Sequence, residues 1–92
     1  MIITEMNNNV ANIQLEGRIM NVYKTGNALT FISDPDSKDE HLFTVLFEKD
    51  IDKQKTQVEE ALKLMAEGKN VKLNGVYTPL APIFFRSFEE IN

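Results

Sequence analysis

The sequence predicts an all-β fold, a small closed barrel of strands with one helix, and three observations predict it. Two stretches, Ile13-Gln14-Leu15-Glu16-Gly17-Arg18-Ile19 and Asn70-Val71-Lys72-Leu73-Asn74-Gly75-Val76-Tyr77, alternate apolar and polar residues. Period-two alternation marks a strand with one buried face. Each stretch then reaches a glycine where the next side chain is due to enter a core, and such a glycine marks a bend, a bulge or a close backbone approach. The third observation is a single segment of helical period: Val58, Ala61, Leu62 and Met65 fall at i, i+3, i+4 and i+7.

The elements follow in order. Residues 1–11 read as an N-terminal arm, since Met6-Asn7-Asn8-Asn9 has no periodicity, and residues 12–92 as one domain. The first strand runs from about Asn12 to Lys24. Val22 is out of phase with Ile19, so a bulge near Met20-Asn21 is expected to restore burial. Thr25-Gly26-Asn27 is a turn signal, and Ala28 to Ser33 is the second strand. Asp34-Pro35-Asp36-Ser37-Lys38-Asp39-Glu40 is a polar loop. His41 to Glu48 is the third strand, with Phe43, Val45 and Phe47 on one face and Leu42, Thr44 and Leu46 on the other. Thr56 to Glu59 fits a capping box, with Asp52 as a cap one turn earlier. Leu64 widens the helical stripe, and Gly68 is a natural stop. Asn70 to Tyr77 is the fourth strand. The two prolines of Thr78-Pro79-Leu80-Ala81-Pro82 forbid a continuous ladder, so the last strand is Ile83 to about Glu90. The order is β-β-β-α-β-β.

Gly17-Arg18-Ile19, Val22, Gly26, Leu29, Ile32 and Asp34 resemble the first hairpin of anticodon-binding and single-strand-binding OB domains. Ala66-Glu67-Gly68 leading into Val71, Leu73, Gly75 and Val76 resembles the family's helix exit and fourth strand. The resemblance covers roughly residues 12–90 and implies a five-stranded Greek-key OB-fold. It further implies that nucleic acid crosses strands two and three, gripped by the loops after strands one and four. Carried over, the nucleic-acid-binding positions are Arg18, Tyr23, Lys24, Phe31, Thr44, Lys72, Tyr77 and Arg86. Phe31 would stack on a base if a bulge turns it outward; otherwise it belongs to the core.

Composition limits the function. The chain has 92 residues and a net charge of -4, which argues against coating double-stranded nucleic acid by charge neutralisation. Single strands stay open to it, because stacking supplies part of the affinity. The sequence has no cysteine, so disulfides and thiolate metal sites are excluded, and a reducing, cytoplasmic location is expected. No apolar run approaches a membrane span, and residues 1–12 lack the pattern of a signal peptide. The single histidine, His41, has no nucleophile or metal-ligand spacing around it. Asp34, Asp36, Asp39 and Glu40 lack the spacing of a calcium loop. An enzyme, a metal and a cofactor are therefore not expected.

The leading expectation is an accessory subunit in DNA replication, recombination or repair. It would bind single-stranded nucleic acid, ssDNA favoured, beside a larger partner such as a polymerase or helicase. The alternative is a protein-interaction module with no nucleic-acid contact. The outer face of strands two and three separates the two. Leu42, Thr44 and Leu46 are aliphatic where stacking wants rings, and the protein-interaction reading prevails if Phe31 is buried and that face is aliphatic and acidic.

Overall fold

The structure, a computed structural model, describes residues 1–79 and 82–91. The strands are β1 (Ile2–Asn7), β2 (Val10–Val22), β3 (Ala28–Ser33), β4 (His41–Leu46), β5 (Val71–Tyr77) and β6 (Ile83–Glu90). One helix, α1 (Ile51–Glu67), lies between β4 and β5. Leu80 and Ala81, within the expected 78–82 loop, lie outside the described residues.

β2 organises the fold. Ala11–Gly17 pairs with β5, and Gly17–Val22 pairs with β3. β3 pairs with β4, β4 meets β6 in parallel at Val45 and Leu46, and β6 returns antiparallel to β5. The strands β2-β3-β4-β6-β5 thus close into a ring. Gly17 stands where β2 passes from one partner to the other. A Cβ there would lie 1.8 Å from the Ile32 carbonyl oxygen, so the bend needs a residue without one. Gly75 is the counterpart on β5, where a Cβ would lie 2.6 Å from Ile83 Cγ2 and 3.0 Å from the Phe84 oxygen.

The arm expected at residues 1–11 is instead largely a strand. Asn8 and Asn9 both take left-handed backbone (φ 50° and 65°) and turn the chain in two residues, so that β1 pairs with β2. Asparagine tolerates this conformation because its short polar side chain bonds locally. The fold therefore has six strands, not five.

Three ladders slip by one residue, and the extra residues are Thr4, Met20 and Arg86. The slip at Met20 is the expected one. All three side chains are exposed.

The core lies inside the ring. Leu15, Leu29, Phe31, Val45 and Leu73 are fully buried, and Phe85 meets Phe47 edge-on and Phe88 at a tilt, with centroid separations of 5.6 and 4.6 Å. α1 packs against β2. Its inward stripe is Val58, Ala61, Leu64 and Met65, centred on fully buried Ala61. Leu62, expected on that stripe, follows directly after its centre and turns outward. Neither Thr56 nor Asp52 caps the helix. Asp50 does: its Oδ1 accepts from the amides of Asp52 and Lys53 at 3.1 Å each. Gly68 ends it in left-handed backbone, as expected. No helix among the described residues is long and apolar enough to cross a membrane.

Candidate functional site

The ring exterior has two unlike halves. Around Gln14 of β2, Asn74 of β5 and Ser87 and Glu89 of β6 it is polar and internally hydrogen-bonded. Gln14 Nε2 donates to Asn74 Oδ1 (3.0 Å) and Glu89 Oε2 (3.3 Å), and Asn74 Nδ2 donates to Ser87 Oγ (3.1 Å). Lys72 stands here, opposite Glu16 on one neighbour and Glu89 on the other. Carboxylates on both sides oppose a phosphate at Lys72.

On β3 and β4 the exterior is aliphatic and hydroxylic. Residues directly opposite in a ladder share a face, which yields the rows Ile32–Leu42, Thr30–Thr44 and Ala28–Leu46. Arg18 extends the first row through its pairing with Ile32. Phe84 and Val76 extend the last through pairing with Leu46 and with each other. Phe31 lies on the opposite, inner face, paired with Ile19 and Phe43, and is 0% exposed. Its expected stacking role is corrected: the bulge beside it falls on β2, at Met20, and leaves the phase of β3 unbroken.

Tyr23 (38% exposed) follows β2 and its amide donates to the Ala28 oxygen at 3.0 Å. Side-chain hydrogen bonding with Thr30, then Thr44, favours the phenolate and lowers the Tyr23 pKa below the usual tyrosine value. The structure thus brings together Tyr23 and Thr44 of the expected set, with Lys24 next in the turn. Tyr77 is exposed at the end of β5, opposite Ala11 and away from this cluster. His41 is exposed and its ring meets Phe43 at 4.6 Å.

A groove of about 480 Å³ opens on the last row, at the seam between β4 and β6. Ligand clefts span roughly 300–1,000 Å³. Leu46, Phe84 and Val76 line it with Phe47 and Phe85, and Asn27, from the 23–27 turn, closes one side. Lys49, Arg86 and Glu48 supply its charge.

Each wall has a local cause. Phe84 is 40% exposed because it takes the outward phase between buried Ile83 and Phe85. Arg86 is the extra residue of the β6 bulge, and bulges re-aim side chains. Lys49 is held by the segment that joins β4 to α1. There Gln54 Nε2 donates to the Glu48 oxygen (3.0 Å) and the Glu48 amide donates to Gln57 Oε1 (3.1 Å).

Among the described residues the one ion pair is Lys69–Glu67, so Lys49 and Arg86 meet no carboxylate within 4.0 Å. Of the expected positions, Arg86 alone lines the groove. Phe84 and Lys49 line the groove but are not among the expected nucleic-acid-binding positions. The alternation Ile83-Phe84-Phe85 was the available signal for Phe84. Among the described residues no cluster of three or more His, Asp or Glu side chains is placed to hold a metal ion.

Comparison of the chain with protein-family models, curated proteins and solved structures finds no match.

Proposed function

We propose that the chain is an OB-fold module that grips a short stretch of single-stranded nucleic acid, ssDNA first, in the groove at the β4–β6 seam. The ring order and the position of α1 support the five-stranded Greek-key reading, with β1 as an added strand. The observation that carries the ligand is a half-exposed Phe84 ring that shares the groove lining with Lys49 and Arg86, two cations without ion partners among the described residues. A base stacks on the ring, and the cations meet its flanking phosphates. Lys24 and Tyr23 lie on the same side of the ring as the Asn27 wall. Two or three phosphate contacts give modest affinity, in keeping with the net charge of -4. A larger protein, such as a polymerase or helicase, therefore shares the grip in replication, recombination or repair.

Fluorescence anisotropy with labelled oligo-dT tests this. Binding in the micromolar range at low salt is expected, weakening as salt rises. Phe84→Ala removes stacking worth about 1–3 kcal/mol per base, roughly 5- to 150-fold. Absence of binding at tens of micromolar in low salt sinks the reading.

Buried Phe31 and the aliphatic rows of β3 and β4 favour a second reading, a protein-interaction module. In that case a pull-down from the native host, analysed by mass spectrometry, returns a defined partner and oligo-dT does not bind.

A further inference from the structure

We infer that the outer face of β2, β3 and β4, at the end away from the groove, docks a basic, aliphatic segment of another protein. This rests on the second of the two readings above, on a surface separate from the groove. Leu42 is 58% exposed and Met20, the bulged residue of β2, is 50% exposed. Leu42 belongs to the face that carries Thr30, Thr44 and the buried Ile32, and Met20 precedes Asn21, the β2 residue that pairs with Thr30. Ile32–Leu42 is the last outward pair before the 34–40 loop, which follows directly from Ser33 and returns at His41.

That loop determines the chemistry of the occupant. It carries Asp34, Asp36, Asp39 and Glu40 against Lys38 alone, and Asp36, Asp39 and Glu40 are exposed. None of these carboxylates has an ion partner among the described residues. Even counting Arg18, carboxylates outnumber cations by two around this end of the face. An acidic rim beside an apolar floor repels phosphate and complements lysines or arginines flanking aliphatic side chains. The rim is held in place: the Asp36 amide donates to Glu40 Oε2 (2.7 Å) and Ser37 Oγ to the Asp34 oxygen (2.6 Å). A partner therefore meets carboxylates already positioned, which lowers the ordering cost of binding.

The test is calorimetric titration with three synthetic peptides of one length, alternating Leu-Lys, Leu-Ser and Leu-Glu. The Leu-Lys peptide is expected to bind and the other two to bind at least tenfold more weakly. Leu42→Ser and the double variant Asp36→Asn/Asp39→Asn are each expected to weaken Leu-Lys binding at least fivefold, and Phe84→Ala to leave it unchanged. Circular dichroism checks that each variant folds, and Leu42 is exposed enough for its replacement to be tolerated. Equal binding of all three peptides, or none, overturns the proposal. Loss with Phe84→Ala places the peptide in the groove and also overturns it. A homodimer abolished by Leu42→Ser makes the occupant a second copy, and oligo-dT binding lost with Leu42→Ser makes it nucleic acid; either result contradicts a basic protein segment.

Discussion

Phe31 on β3 and Phe84 on β6 flank β4 with opposite fates, and the phase of one residue decides each. Phe31 is closed off among Ile19, Leu29 and Phe43, whereas Phe84 stands half out of the seam. Phe31→Ala is expected to cost about 3–5 kcal/mol of stability in chemical denaturation. Phe84→Ala is expected to cost far less stability while it weakens the ligand. Gly17→Ala drives a methyl group into the backbone of β3, where side-chain movement gives no relief. A loss of about 3 kcal/mol or more is expected, at the upper end of overpacking effects.

Tyr23 offers a titration. Its folded pKa is lowered by hydrogen bonding from Thr30 and Thr44. The resulting stabilisation is present above the unfolded pKa and is lost as pH falls through the folded one. Tyr23→Phe therefore leaves the pH dependence of stability unchanged near neutrality. Tyrosinate absorbance is expected to show Tyr23 ionising below the ordinary range, and Thr30→Val to raise that titration.

The elements show how much of the fold was legible and why the rest was not. β3 lies where the Thr25-Gly26-Asn27 turn and the polar 34–40 loop bound it, and β6 begins after Pro82 with the alternation Ile83-Phe84-Phe85, buried, exposed, buried. The Met20 bulge was legible as a phase error between Ile19 and Val22. β1 was not, since all six of its residues are exposed and it leans on β2 alone, so no burial pattern is written into it. The one signal was Asn8-Asn9, a pair able to take left-handed backbone. Deleting residues 1–9 is expected to leave the ring folded, with amide exchange in β3 to β6 nearly unchanged. The helix start was misplaced by two to six residues because Asp50, Asp52 and Thr56 are all competent caps. Asp50 wins since it directly follows the segment tethered by Gln54 and Gln57. Asp50→Ala is expected to cost about 1 kcal/mol in thermal unfolding.

For the whole molecule, the closed ring separates a polar, self-bonded exterior from an aliphatic one that ends in a cationic groove. The order along the chain of the five ring strands and the helix was legible from local patterns. The site was only partly so, because the groove at the β4–β6 seam joins residues as distant in sequence as Asn27 and Arg86. Phase within each strand also had to be known before any aromatic could be placed outside. The bulge that delivers Arg86 is written only indirectly, in Gly75 across the ladder.

In the proposed function, a single strand of nucleic acid occupies the seam between β4 and β6. Titration of the isotope-labelled protein with oligo-dT, followed by amide NMR shifts, tests it most directly. Saturable shifts are expected at Asn27, Leu46, Lys49, Phe84 and Arg86, with Leu42 and Lys72 silent. Shifts confined to Leu42 and Met20, or none at all, would contradict it.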